Sequence, residues 1–271
     1  MKAPPFAYTR ARSTAELFDL MERHGDGARM LAGGQSLIAS LNLRLSEPEI
    51  LVDITHLPGM RGMATDGATV TIGALTRHAD IASSPVVAQH LPLLAQAVTH
   101  VAHPAIRNRG TIGGSLALND PAAEYPAVAL ALGATLAVRS PAGIRHIPAS
   151  EFFRGIYATA LEPNELLEAV SFPVQPAARS VFLELARRHG DYAMVGLAAH
   201  RPANDALRLV FFAVGDGPTA APHAAAAHDI AAAQAALASD LDPCSDLNAS
   251  SATRLHLARV LLGRALTAMA A

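Results

Sequence analysis

The apolar runs of this chain are short and change period repeatedly, and this restricts the possible folds more than any other feature. STAELFDLMERH, residues 13–24, sets Leu17, Leu20 and Met21 at helical spacing behind Ser13 and Glu16, a capping-box pair. Met30–Ala32 reads as a short strand running straight into Gly33 and Gly34. EILVDIT (49–55) and ATVTIGALT (68–76) are rich in β-branched residues and bounded by Pro and Gly, which marks both as strands. From His78 to His100 the pattern is helical, with Pro85 and Pro92 each suited to the first turn of a new helix. Ala122–Leu132 is helical, Ala134–Val138 and Ile144–Ile147 are short strands around the turn SPAG, and strand-like content returns in Glu165–Phe172, Val181–Arg187 and Leu207–Val214. Strands and helices mixed in this way, without regular βαβ alternation, predict an α+β protein.

At 271 residues the chain is long enough for two domains. Its formal net charge is −2, and Arg107, Arg109, Arg254, Arg259 and Arg264 are scattered, so no electrostatic footprint for nucleic acid emerges. No apolar run reaches the roughly 18 residues of a spanning helix, and MKAPPFAYTRARS lacks the apolar core of a secretory signal. The expectation is a cytoplasmic protein. Cys244 is the sole cysteine, which excludes a disulfide framework within the chain and an iron–sulfur cluster held by its thiolates alone. Among twelve histidines, His100 and His103 have a ligand-like spacing but no companion to complete a set, so no metal is expected. After Gly217 the alanine-rich stretch PTAAPHAAAAHDIAAAQAALASD is either a helical hairpin or a poorly packed segment. The chain closes in an amphipathic helix over Ser250–Ala271, with Leu255, Ala258 and Leu262 on one face.

Two segments carry the chemistry. AGGQS (Ala32–Ser36) and TIGGS (Thr111–Ser115) each set paired glycines before side chains that donate hydrogen bonds. A dinucleotide pyrophosphate needs several donors at short range and little side-chain bulk, which backbone N–H groups and the hydroxyls of Ser36, Thr111 and Ser115 supply. Neither segment matches G-x-G-x-x-G or the P-loop pattern, so neither a nicotinamide Rossmann site nor an NTPase is supported. Taken singly, each glycine pair is better explained by a tight turn.

Taken together, AGGQSLI, IRNRGTIGGSLALNDPAAEYP, ARRHGDYAMVGLAA (186–199) and SSATRLHLARVLLGRAL span nearly the whole chain in order. The combination resembles the medium, FAD-binding subunit of the molybdenum hydroxylases, the family of xanthine dehydrogenase and aerobic carbon monoxide dehydrogenase. The resemblance implies a two-subdomain FAD-binding domain of the PCMH type over residues 1–176, with subdomains of about 1–56 and 57–176. A C-terminal domain with a three-stranded antiparallel sheet would follow over 177–271. It implies that Ala32, Gly33, Gly34, Gln35 and Ser36, with Thr111, Ile112, Gly113, Gly114 and Ser115, surround the FAD pyrophosphate, and that Leu37 also binds the cofactor. Glu124 falls where the family bonds a ribose hydroxyl, Val101 and Leu161 where it packs against the rings, and Asp191 with Tyr192 near the isoalloxazine. A non-covalent flavin is expected, because neither glycine segment contains His or Cys. The implied partners are a large molybdenum-cofactor subunit and a small [2Fe–2S] subunit, arranged as a dimer of heterotrimers. No catalytic acid or base is implied in this chain. Ser115 replaces a frequent Asn, Thr253 precedes Arg254 where Tyr is frequent, and the region after Gly217 is short. Two alternatives remain at this level, a stand-alone flavin oxidoreductase and a flavin-free assembly subunit.

Overall fold

The computed structural model describes residues 2–203 and 205–270. It opens with a three-stranded parallel sheet in which Ile50–Asp53 lies between Ala7–Arg10 and Ala28–Leu31, with Ile50 in register with both Ala7 and Ala28. All four residues of the central strand are buried, as an apolar run in a parallel sheet demands. The helix Thr14–His24 connects the first two strands, and Ser13 caps it by accepting from the Glu16 N–H. Glu16 in turn accepts from Arg12 N–H, one residue earlier than a capping box would place the bond.

A five-stranded antiparallel sheet follows, ordered Met63–Thr65, Thr69–Gly73, Leu166–Pro173, Thr135–Ser140 and Gly143–Pro148. Between its second and fourth strands run the helices His78–Ala82, Pro85–His90 and Pro92–Ala97, with Pro85 and Pro92 at first-turn positions as the sequence predicts. The helix Glu124–Leu132 has seven of its nine residues buried. It is apolar all round because it is covered on several sides, including by the third sheet.

That third sheet is antiparallel and ordered Arg179–Ala186, Ala193–Arg201, Arg208–Phe212, Thr219–Ala220. The fourth strand is only two residues long, which extends the expected three-stranded sheet. Side-chain alternation divides its core contacts. Val195, Leu197, Ala199, Leu209 and Phe211 pack with the C-terminal helices, whereas Ala198, Val210 and Phe212 join the core of the first 175 residues. The alanine-rich stretch forms helices Pro222–Ala225 and Ile230–Asp240, packed against each other and, through the longer one, against Ser251–Ala270, so it is a packed hairpin.

Candidate functional site

The two glycine segments meet. Gly33 lies so close to the other segment that a Cβ would sit 2.3 Å from the Arg109 carbonyl oxygen, and only glycine allows that approach. Gly34 follows at φ +73°, turning the chain into the helix Leu37–Asn42. The second segment is a helix start: Thr111 caps Ile112–Leu118 by accepting from the Gly114 N–H at 3.1 Å. Sequence patterning missed this helix because Gly-Gly is a poor helix former; packing against Ala74 selects it, since a Cβ on Gly113 would lie 2.4 Å from that of Ala74.

The segments differ in what they leave free. Ile112 N–H donates to Thr76, Gly113 N–H to Ala74, and Ser115 N–H to Thr111, so the backbone donors of the second segment are used internally. In the first, the N–H groups of Gly33, Gly34, Gln35, Ser36 and Leu37 find no acceptor among the described residues. Five consecutive free amides form a concave donor surface suited to an anion. Ser36 makes no side-chain cap bond, leaving its hydroxyl free as well. Gly114 lines the same cavity as the first segment, and a Cβ there would lie 3.0 Å from the Thr111 hydroxyl that caps its own helix.

One cavity of about 600 Å³ joins these features. Ala32, Gly33, Gly34, Gln35, Ser36, Leu37, Val101, Thr111, Gly113, Gly114, Ser115, Glu124, Leu161, Asp191 and Tyr192 all line it. Ile112 does not; its side chain is fully buried in the core and its N–H anchors the helix start. Val101 presents a nearly buried apolar wall, and Asp191 and Tyr192 stand exposed at the edge, Tyr192 by 70%. Arg107 holds the cavity-lining segment in place, its Nη1 donating to the carbonyls of Val101 and Ala102.

Glu124 sits half-buried in the cavity wall, and burial first, with the nearby Asp120 charge second, pushes its carboxyl up to about 7. Such a carboxylate gains from a hydroxyl donor and would repel a phosphate. Sequence reasoning missed His78 and Asp120 in the lining. The NDP triplet held the signal for Asp120: Asn119 adopts a left-handed conformation at φ 50° and its side-chain amide donates to Gly155 and Ala158, fixing the turn. His78 is buried with Nδ1 unpaired, and only the close backbone approach at Gly110 reveals its place. Among the described residues, no group of three or more His, Cys, Asp or Glu is placed to hold a metal.

The donor set fits a dinucleotide: free amides and hydroxyls at one end, a carboxylate for a sugar, and apolar walls beyond. Comparison with known proteins agrees. Residues 4–175 match the model for the FAD binding domain in molybdopterin dehydrogenase, and residues 180–269 that for the CO dehydrogenase flavoprotein C-terminal domain. The 6-hydroxypseudooxynicotine dehydrogenase complex subunit alpha of Paenarthrobacter nicotinovorans is 40% identical, across 98% of this chain and 95% of that protein. The carbon monoxide dehydrogenase medium chain of Hydrogenophaga pseudoflava is 41% identical over 73% of this chain and 69% of its own length. A solved structure of carbon monoxide dehydrogenase from the same organism, lacking the Mo-pyranopterin moiety of its cofactor, superposes with a TM-score of 0.94 at 35% identity, covering 99% of this chain and 98% of that one. This chain is therefore an FAD-binding oxidoreductase subunit of the molybdenum hydroxylase family.

Proposed function

We propose that this chain takes electrons from [2Fe–2S] clusters of a small partner subunit, reduced by a large molybdenum-cofactor subunit, and passes them to an external acceptor. The observation that carries this reading is the run of five free amides facing the second glycine segment across one cavity. When bound there, FAD supplies the exchange between single electrons and electron pairs. The protein's part is to bind and orient. The Gly33–Leu37 amides and the hydroxyls of Ser36, Thr111 and Ser115 hold the pyrophosphate, and Glu124 accepts from a ribose hydroxyl. Val101 and Leu161 exclude water beside the rings, with Asp191 and Tyr192 at the exposed edge. Gly113 and Ile112 serve indirectly, by fixing the helix start.

Relatives described as subunits and medium chains of larger enzymes support the partnership, and so does the single cysteine, Cys244, which leaves clusters to another chain. We place the boundary between the FAD-binding and C-terminal domains near 176, the first domain divided near 56, and the complex in the cytoplasm as a dimer of heterotrimers. The test is co-purification from the host with metal analysis. A yellow complex containing molybdenum and iron is expected. A yellow chain that turns over a small molecule alone would make it a free-standing flavoprotein, and a colourless one an assembly subunit.

A further inference from the structure

The stretch 160–165, which puts Leu161 in the cavity wall, has no regular secondary structure, and one side chain ties it down from outside. Arg145 stands on Gly143–Pro148, the edge strand of the five-stranded sheet. Its Nη2 donates at 2.7 Å to the Ala160 carbonyl, immediately before Leu161. Its Nε and Nη2 also donate to the two carboxylate oxygens of Glu165, at 2.8 and 2.7 Å, a forked pair. Glu165 Oε2 accepts the Glu162 N–H at 2.8 Å as well, closing the loop on itself. The two partners differ in burial. The Glu165 side chain is 9% exposed and that of Arg145 47%.

Glu165 lines the cavity together with Leu161, Leu166 and Leu167. Asp120, Glu124 and Asp191 line it too, and among the described residues Glu165 is the one of these four acids that meets an arginine side chain in an ion pair. The hydrogen bonds from Arg145, against the opposing effect of burial, hold its carboxyl below the usual carboxylate range, so it is ionised. A bare carboxylate in a poorly hydrated wall opposes the arrival of further negative charge, and a guanidinium locked on both its oxygens cancels that field. The outer side of Arg145 is wet, so salt screens its charge. Neither residue holds the pyrophosphate or the ribose in the reading above.

We propose that the Arg145–Glu165 pair sets how readily the bound flavin accepts electrons. Arg145 is a positioning residue: it fixes Leu161 through the Ala160 carbonyl and neutralises the wall through Glu165. This rests on FAD lying in the cavity with its rings at Leu161. Breaking the pair from its two ends has opposite electrical consequences. Loss of the cation leaves an unbalanced carboxylate in the wall, whereas loss of the carboxylate leaves an unbalanced cation. Mere loosening of the loop would act in the same sense from either end.

The test is the midpoint potential of the FAD-loaded protein, as full-length chain or complex, read from flavin absorbance against reference dyes. Arg145→Gln is expected to shift the equilibrium toward oxidised flavin about ten-fold, about 30 mV for an electron pair. Glu165→Gln, which keeps an acceptor for the Glu162 N–H, is expected to shift it the other way. Both shifts are expected to shrink at about 1 M salt, and the double variant to return to the parental potential. Arg145→Lys keeps the charge without the fork, so its potential is expected to stay parental while FAD binding, read by fluorescence titration, weakens several-fold. Shifts of the same sign in the two single variants, or parental potentials in both with flavin fully bound, would overturn the proposal. A parent that takes up no FAD, alone or in the complex, would instead overturn the reading of the cavity, and the proposal with it.

Discussion

Single residues in this site are chosen for the space they leave. Gly114 lies in the first turn of a helix with no positive φ, so strain at a left-handed position is no reason for glycine there. A side chain there would crowd the Thr111 hydroxyl, 3.0 Å from its Cβ, at the wall of the cavity. Gly114→Val is expected to abolish flavin absorbance while circular dichroism stays unchanged. Full occupancy in the variant would reduce this segment to a turn. Gly33→Ala is a different case, because its Cβ would strike a carbonyl 2.3 Å away and push the two segments apart. It is expected to lower both flavin content and the denaturation midpoint, by about 1–3 kcal/mol. For Glu124 the sign follows from its raised carboxyl. Below about 4.5 the group is protonated in both folded and unfolded chains and costs nothing; above about 7 it is ionised in both and the folded chain bears the full penalty. Glu124→Gln is thus expected to stabilise the flavin-free chain by about 1–2 kcal/mol at pH 8 and by nothing at pH 4, the wet cavity mouth screening the rest. The same change should weaken FAD binding several-fold, read by fluorescence titration. The paired glycines were visible in the sequence because their spacing to Ser36 and Ser115 is local. Which pair keeps its amides free was not, since that depends on Thr76 and Ala74 arriving from another segment.

Elements were legible where one periodicity ruled. The proline-started helices and the strands Arg179–Ala186 and Arg208–Phe212 are set by local pattern, whereas Ala193–Arg201, buried along most of its length, carries no alternation. The helix Ile112–Leu118 was hidden by its glycines, and the pair Thr219–Ala220 is too short to carry a period. Arg254 shows how a side chain can fix an element where pattern says nothing. Buried at 5% exposure, it donates to the carbonyls of Met194 and Ala213 and to Asp246, tying the last helix to the strand Ala193–Arg201 and to the residue just after Arg208–Phe212. Arg254→Met leaves two carbonyls without a donor and is expected to cost about 2–4 kcal/mol in chemical denaturation. Asp246→Asn should cost under about 1 kcal/mol, since that carboxylate is largely exposed.

At the scale of the molecule, Ile38, Leu43 and Leu45 stand 39%, 57% and 76% exposed around the helix Leu37–Asn42, and Ile156, Tyr157 and Tyr192 are exposed as well. A chain that normally lies against partners leaves such side chains uncovered when alone. Sedimentation of the isolated chain is expected to show self-association that disappears when the large and small subunits are added; a monomer indifferent to both would contradict the subunit assignment. The sequence could not reveal how the cavity is shared, because its walls are separated by up to 163 residues, from Arg29 to Tyr192. That sharing governs the order of events during biosynthesis. As the chain leaves the ribosome, both glycine segments are available before Asp191 and Tyr192, which adjoin the strand Ala193–Arg201. A nascent chain released before that strand carries both glycine segments but not the far edge of the cavity, and is expected to hold FAD more weakly than the full chain, as read by fluorescence titration.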